Sequence, residues 1–248
     1  MCTDVHKRNH NRRGVLAVSD KGEKNIHSGM TRRTVIATGV AAGGIALVGQ
    51  AHADAPNSWQ NGVWLNKPRQ SSLTADALEV TTDKGTDFWR ETWYGFTRDS
   101  GHFYGVHAPS RFTAQLRIRA AYEKLYDQAG LMVRIDEKRW VKAGIELSDG
   151  RAMLSSVLTD GLSDWATAPY EGEPKDFWMR ATVADGVLRL QVSADGKIWP
   201  LVRLAPFPKA ESYLVGPMCC TPEREGLKVK FSDWRLTPPL GKALHDLT

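Results

Sequence analysis

Apolar and polar residues alternate with a period of two along most of the chain after residue 60. The alternation is clearest in residues 111–119, 140–147, 187–193 and 227–232. Successive side chains of a strand point to opposite faces of its sheet, so each of these segments buries one face and leaves the other in polar surroundings. The pattern therefore predicts antiparallel strands rather than alternating strands and helices.

Turn signals separate these segments. Asp-Gly pairs lie at residues 149–150, 185–186 and 195–196, and this dipeptide favours tight hairpin turns because glycine accepts a positive φ. About a dozen short strands at such spacing predict an all-β fold, a jelly-roll sandwich of two antiparallel sheets. Short helices are candidates only at residues 120–125 and 242–247.

A basic, then apolar, then small-residue segment precedes the strands. Arg32 and Arg33 are followed by an apolar run over residues 35–48, and the run ends near Ala51 and Ala53. This order is typical of a twin-arginine signal peptide that is cleaved after a small-x-small site. The sequence therefore predicts export, with a periplasmic or secreted mature protein.

Two alternatives remain open for this leader. Translation starts either at Met1, with a long polar extension, or at Met30, which we favour. A retained membrane anchor is less favoured, because the apolar run is shorter than the roughly 20 residues that a transmembrane helix needs. We expect no stable membrane span after the leader is removed. The predicted organisation is a signal peptide at 1–53, a linker at 54–63, a sandwich at 64–237 and a tail at 238–248.

The basic excess of the chain belongs to the leader. Residues 1–53 contain eight of the 33 Lys and Arg residues and three of the 28 Asp and Glu residues, which leaves 25 of each and no net formal charge in the remainder. A neutral domain without a basic patch argues against a nucleic-acid partner. The remaining cysteines, Cys219 and Cys220, are adjacent in sequence and are therefore poorly placed to form a disulfide with each other.

Polar residues share one face of two predicted neighbouring strands. If Val141 and Ile145 point into the sandwich, Lys142 and Glu146 point to its other face, and Gln128 and Arg134 do the same on the preceding strand. Such a row is either the floor of a ligand site on a concave sheet or a solvated face with cross-strand ion pairs. Both interpretations stay open from the sequence.

Nine tryptophans follow the leader, and two interpretations apply to them as well. Flat aromatic rings stack on sugar rings, which makes an aromatic such as Trp93 a candidate ligand contact. Tryptophan also fills the gap between large sheets, and we expect Trp178 and Trp234 to be structural.

The sequence contains no clear catalytic or metal-binding motif. The sequence contains no Glu-x-Asp-x-Glu strand of the kind that places two carboxylates for retaining glycoside hydrolysis, and His102, His107 and His245 lack metal-ligand spacing. We therefore predict no cofactor, no metal site and no catalytic residue.

Several runs in order resemble a concanavalin A-like family that is named after a regulator of enolase. The runs are TDFWRETWYGFTRDSGHFY, YDQAGLMVRIDEKRWVKAGIE, GLSDWA, DFWMRA and VGPMCCTPEREGLKVKFSDWRL. The resemblance covers nearly all of the chain after the leader and implies a concanavalin A-like jelly roll, but it implies no catalytic residues. The family's characteristic segments include Trp89, Arg90, Tyr126, Asp127, Gln128, Lys142, Glu146, Asp164 and Trp165.

Three functions follow as hypotheses. The first is an exported non-catalytic module that binds a carbohydrate or glycan on the concave sheet, with an envelope protein as the alternative partner; its candidate contacts are Trp93, Tyr126, Asp127, Gln128, Arg134, Lys142 and Glu146. The second is an enzyme on polysaccharide, with Glu146 or Asp127 as acid or base and Lys142 tuning the pKa. The third is a protein-interaction or regulatory module. The ligand, the oligomeric state and any calcium requirement stay open.

Overall fold

The computed structural model of the protein describes Trp59 and residues 61–248. Within this part of the chain all the regular secondary structure is β-strand. No helix of the described residues is long and apolar enough to cross a membrane. The predicted leader residues lie outside the described residues: Met30, Arg32, Arg33, Ala51 and Ala53.

Two seven-stranded antiparallel sheets form the body of the fold. The first sheet has, in spatial order, β1 (Val63–Leu65), β6 (His102–Pro109), β15 (Ser212–Cys220), β8 (Gln128–Arg134), β9 (Arg139–Ser148), β10 (Arg151–Asp160) and β11 (Leu162–Pro169). The second has β14 (Leu201–Pro206), β13 (Val187–Ser193), β12 (Asp176–Ala184), β7 (Phe112–Ala120), β16 (Lys228–Thr237), β3 (Ala77–Thr81) and β2 (Gln70–Leu73). The predicted all-β sandwich is therefore confirmed.

The main core lies between the two sheets and follows the alternation of the sequence. On β7, β9, β12 and β13 the apolar members of the alternating segments are buried together. Trp59 and Trp234 stack at one side of this core with ring centroids 5.3 Å apart, an arrangement worth about 0.5–1.5 kcal/mol beyond the burial of the two rings. Trp234 is structural, as expected, and Trp178 packs under the guanidinium of Arg117, 4.2 Å from its ring centroid.

The outer face of the first sheet is covered, not solvated. A small third sheet, the hairpin of β4 (Phe88–Arg90) and β5 (Thr97–Asp99), lies over it. A second apolar cluster fills the space beneath: Phe88, Trp89, Phe103, Met132, Trp140, Val157, Met218 and Cys220. Because this hairpin packs there, Gln128, Arg134, Lys142 and Glu146 are all buried. The interpretation of that row as a solvated face is wrong.

The two candidate helices do not form. Residues 121–127 make a turn, in which the carboxylate of Asp127 accepts hydrogen bonds from the backbone N–H groups of Glu123 and Lys124 at 2.8 and 3.1 Å. A short acidic side chain that bonds nearby backbone groups competes with the helical pattern. Residues 242–247 are irregular, with one turn.

Cys219 and Cys220 are free thiols that point to opposite sides of β15. Cys219 lies in the main core and Cys220 in the second cluster. Burial raises the pKa of both thiols far above the ordinary value, so both are poor nucleophiles.

Two facing glycines bring β8 and β9 together under the covered face. Gly130 and Gly144 are register partners. A Cβ at Gly130 would collide with the backbone of Ala143, and a Cβ at Gly144 with the backbone of Ala129. Only glycine fits these positions, because the colliding atoms are backbone atoms that cannot rotate away.

We expect Gly144→Ala to lower the free energy of unfolding by about 1–3 kcal/mol, the usual cost of forcing extra atoms into a packed interior. Urea denaturation measures this change. Gly241→Ala is the matched control, since a Cβ at Gly241 meets open space, and its effect should stay within about 0.5 kcal/mol. Equal stability of the two variants would contradict the role given to the glycine pair.

Candidate functional site

A pocket of about 240 Å³ lies on the covered face of the first sheet, at the mouth left by the β4–β5 hairpin. Its walls combine aromatic rings with charged and amide groups. The lining residues are Asp87, Trp89, Tyr94, Phe96, Arg98, Tyr126, Gln128, Lys142, Glu146, Val157, Trp165, Pro222 and Glu223. We call it the aromatic pocket.

The floor of the pocket comes from β8 and β9. Gln128 is the register partner of Glu146, and Lys142 lies on the same face of β9, four residues before Glu146. These three residues are only 4–6% exposed. The structure thus brings together four of the sequence candidates, since Tyr126 also lines the pocket.

Lys142 is neutralised by a residue far away in sequence. Its Nζ lies 3.0 Å from Oδ1 of Asp87, in the loop that leads into β4. Burial alone would lower the pKa of Lys142, but Asp87 together with the nearby Cys220 and Glu146 outweighs burial and raises that pKa above its usual value. Lys142 is therefore a fixed cation, unsuited to act as a base.

Glu146 is the least compensated charge of the floor. Its Oε2 accepts a hydrogen bond of 2.7 Å from the hydroxyl of Ser155, which in turn accepts one of 2.9 Å from Nε1 of Trp165. Burial raises the pKa of Glu146, and the nearby Lys142 opposes that rise only in part. The carboxyl therefore keeps its proton to a higher pH than an exposed glutamate does, and in the protonated form it can donate a hydrogen bond.

Aromatic rings form the walls of the pocket. Trp89 meets Tyr94 at 73° and Trp165 at 88°, with ring centroids 5.5 and 6.2 Å apart. Tyr126 meets Trp165 at 72°, while Phe96 stacks on Tyr94. Rings that meet nearly at right angles enclose a space on several sides and present both faces and edges to an occupant.

A contact across the mouth links the hairpin to the loop before β8. The hydroxyls of Tyr94 and Tyr126 are 3.2 Å apart. This hydrogen bond, with burial and nearby negative charge, raises the pKa of Tyr126 to about 12. Tyr126 has a positive φ of 62°, a rare conformation for a bulky residue that clusters at functional sites.

Three sequence candidates lie outside the pocket lining. Asp127 is fully buried and binds Nη2 of Arg224 at 2.6 Å, so it closes a loop and is unavailable as a base. Arg134 forms a bidentate pair with Asp99, with both distances 2.8 Å. Trp93 lies at the tip of the hairpin, 93% exposed and with a positive φ of 65°.

Arg134 and Lys142 act together as anchors of the hairpin. Asp87 comes directly before β4, and Asp99 ends β5, so one ion pair holds each end. Arg90 adds a hydrogen bond of 3.0 Å from its Nε to the carbonyl of Gly161. Asp87 and Lys142 therefore line the pocket and also hold the hairpin that covers it.

Sequence reasoning missed most of the walls. Asp87, Tyr94, Phe96 and Glu223 carry no pattern that places them over the β8–β9 floor. The aromatic density of residues 88–96 was the available signal, but it does not tell which sheet the segment covers. Among the described residues, no group of three or more His, Cys, Asp and Glu is placed to hold a metal.

Comparison with known proteins gives a consistent result. Residues 64–239 match the family described as "Protein of unknown function (DUF1349)". The protein called "Regulation of enolase protein 1" of Saccharomyces cerevisiae is 67% identical over 187 residues, which cover 75% of this chain and 94% of that protein. A crystal structure of a functionally unknown protein from Saccharomyces cerevisiae aligns with a TM-score of 0.73 and 65% identity, over 74% of this chain and all of that one. The resemblance to a family named after a regulator of enolase is confirmed, and its concanavalin A-like jelly roll stays a prediction.

A more distant match concerns the fold alone. The structure of a mutant of the GH43 protein BlXynB from Bacillus licheniformis aligns with a TM-score of 0.52 and 14% identity. The alignment covers 75% of this chain and 40% of that one. It supports the β-sandwich and carries no residue of an active site to this chain.

The predicted periplasmic or secreted location by twin-arginine export is contradicted. Relatives of 65–67% identity come from Saccharomyces cerevisiae, a eukaryote, which has no twin-arginine pathway. The pattern that suggested it consists of two arginines, an apolar run and small residues, a short and degenerate signal. With this correction, an envelope protein is no longer the expected partner.

The raised pKa of Glu146 predicts how stability depends on pH. The unfolded chain loses this proton near the ordinary pKa of about 4.3, whereas the folded protein holds it to higher pH. The stabilising contribution of the protonated carboxyl is complete below that pH and is lost as pH rises through the folded pKa. Glu146→Gln should therefore match wild type near pH 4 and exceed its stability at higher pH, by about 1.4 kcal/mol for each pH unit between the two pKa values.

Urea denaturation from pH 4 to pH 8 measures this difference. Glu171→Gln is the control, because it removes an exposed carboxylate and should keep the wild-type profile. A Glu146→Gln profile parallel to wild type would show that Glu146 is ionised without cost, against the site as described.

Proposed function

The chain belongs to the family described as "Protein of unknown function (DUF1349)", and we propose that it is a glycan-binding protein that holds one sugar residue in the aromatic pocket. The observation that carries the proposal is the combination of ring faces with polar groups at one buried floor. Sugars offer apolar C–H faces and a rim of hydroxyls, and a site for them needs both kinds of partner.

The polar groups suit hydroxyl recognition. Gln128 has an amide that donates and accepts, Lys142 donates only, and Glu146 accepts or, when protonated, also donates. The Lys142–Asp87 pair and the Glu146–Ser155 hydrogen bond fix two of these side chains before any ligand arrives. Fixed partners reduce the ordering cost of binding.

The size of the pocket limits the ligand. Its volume of about 240 Å³ lies below the roughly 300–1,000 Å³ of sites for drug-sized molecules. The hairpin and the loop that carries Tyr126 close it on opposite sides, where the two tyrosine hydroxyls meet. One sugar ring, at the end of a chain or free, fits this enclosure better than the middle of a long polysaccharide.

We expect Trp165→Ala to weaken glycan binding at least about tenfold, since loss of a stacking ring costs on the order of 1.4 kcal/mol or more. Calorimetric titration with monosaccharides and short oligosaccharides, chosen after a glycan array, measures the affinity. Trp93→Ala is the matched control, because Trp93 is an exposed tryptophan of the β4–β5 hairpin and lies outside the pocket lining. It should bind a monosaccharide like wild type.

Two outcomes would contradict the proposal. The first is the absence of binding across plant, fungal, bacterial and algal glycans. The second is a loss of binding in Trp93→Ala together with retention in Trp165→Ala, which would move the site to the hairpin tip.

Glycoside hydrolysis is a second candidate, favoured by the carboxyl groups of Asp87, Glu146 and Glu223 in one pocket. The pKa of Glu146 is raised by burial, which is the direction that favours a general acid, and Asp87 lines the same pocket. Asp87 is already paired with Lys142, which leaves it a weaker base. A reducing-end assay at high protein loading decides: product formation that Glu146→Gln abolishes would support catalysis, and no product would leave binding alone.

Regulation of a protein partner is a third candidate, favoured by the name of the 67% identical relative, "Regulation of enolase protein 1". The surface we would assign to it is the hairpin tip, where Trp93, Tyr94 and Phe96 are exposed. Sedimentation of the purified protein with purified enolase tests it. Complex formation that Trp93→Ala removes would support this function, and separate sedimentation would exclude it for enolase.

A further inference from the structure

Two arginines lie side by side on the outer face of the second sheet, on the opposite side of the sandwich from the aromatic pocket. Arg180 of β12 faces Gln191 across the strands, and Arg189 of β13 faces Thr182, so the two arginines are diagonal neighbours. They are 4% and 8% exposed. We call them the arginine pair.

Arg180 uses only part of its hydrogen-bonding capacity. Its Nε donates to Oε1 of Gln191 at 3.1 Å, and its guanidinium lies over the ring of Trp199, 4.2 Å from the centroid. Its Nη2 is buried and makes no hydrogen bond. A buried donor without a partner is costly and rare in folded proteins.

Arg189 is bound by backbone oxygens of the C-terminal segment. Its Nη1 donates to the carbonyl of Lys242 at 3.4 Å, and its Nη2 to the carbonyls of Leu244 and Asp246 at 3.0 and 3.3 Å. Its Nε is buried and makes no hydrogen bond. Three carbonyl oxygens thus take the place that an anion's oxygens would occupy around a guanidinium.

The arginine pair contrasts with the other buried arginine among the described residues. Arg134 has a bidentate carboxylate partner in Asp99, whereas neither Arg180 nor Arg189 forms an ion pair in this part of the chain. The charge of Asp246 acts on both arginines, but its Oδ1 accepts hydrogen bonds from the N–H and hydroxyl of Thr248 instead.

The uncompensated charge also affects the pKa of Arg180. Burial, with the neighbouring Arg189, lowers its pKa to about 10. Two buried cations without a carboxylate are an unfavourable arrangement unless an anion satisfies them. Guanidinium groups match oxyanions in particular, because their planar fork donates two parallel hydrogen bonds.

We infer that the arginine pair is a binding site for a small oxyanion, such as a phosphate or carboxylate group, and that residues 242–248 form a strap that must lift for it to bind. The free N–H groups of Arg180 and Arg189 and the fork now held by carbonyls would bind the anion's oxygens. Gln191 and Trp199 position Arg180 for this role.

The strap is held weakly enough to lift. Most of its residues are exposed, and beyond Arg189 its hydrogen bond to the sandwich is the one from Trp199 N to the carbonyl of Leu247, at 2.7 Å. Its other hydrogen bonds are internal, as from Nζ of Lys242 to Thr248. Segments with few buried apolar contacts open locally at low free-energy cost.

The test uses the whole chain and inorganic phosphate, with chloride at matched ionic strength as the reference. Phosphate should raise the urea midpoint of wild type, because a ligand of the folded state stabilises it. It should also speed amide hydrogen exchange in residues 242–248 as the strap lifts. Arg189→Gln should lose both responses, whereas Arg151→Gln, which removes an exposed arginine without an ion pair in the described structure, should keep both.

Acetate in place of phosphate separates the two oxyanion classes: a response to acetate alone assigns a carboxylate ligand. If Arg189→Gln does not fold, Arg180→Lys serves instead, because it keeps the charge but loses the fork and should lose at least tenfold in phosphate affinity. Equal phosphate responses in wild type and the pair variants would overturn the inference, since they show a general salt effect. No response of wild type to either anion would overturn it too.

Discussion

A buried ammonium requires a carboxylate, and the shape of the candidate site depends on how this chain meets that requirement. Lys142 stands on the covered face of β9, and its partner Asp87 comes from the loop before β4. Together with Arg134 and Asp99, this pair holds the hairpin over the sheet. Breaking a buried pair by removing one partner typically costs about 3–5 kcal/mol, so the hairpin position, the second apolar cluster and the aromatic pocket are coupled to it.

Buried charged groups have different partners on the two outer faces of the sandwich. On the first sheet, Lys142 and Arg134 each have a carboxylate, and Glu146 is left with a raised pKa beside them. On the second sheet, Arg180 and Arg189 have carbonyls, an amide and an aromatic ring as neighbours instead of a carboxylate. Incompletely compensated buried charge thus occurs at Glu146 and at the arginine pair. Groups with such perturbed pKa values are candidates for ligand binding.

The correction of the cellular location changes how the family name bears on function. Twin-arginine export would have separated this chain from any enzyme that stays in the cytoplasm, and the relatives from Saccharomyces cerevisiae remove that objection to a regulatory role. The surface that we propose for a regulatory contact is the exposed tip at Trp93. The two proposed surfaces share Tyr94 and Phe96, which line the pocket and are also exposed at the hairpin, so a protein bound there would compete with a sugar in the pocket.

The sequence alone determined the sandwich and the floor of the site. Alternation is a local property, because each strand's buried and outer faces follow from successive residues, and so Gln128, Lys142 and Glu146 could be placed on one face. The segment that covers this face cannot be read from the residues of β8 and β9, because Asp87, Tyr94 and Phe96 come from another part of the chain. The sequence pattern of β4 and β5 does not indicate which sheet they cover. The same holds for the arginine pair, which the alternation places outward and which only the path of the C-terminal segment buries. Only the tertiary structure could decide whether an outward row is solvated, since burial there depends on segments distant in sequence.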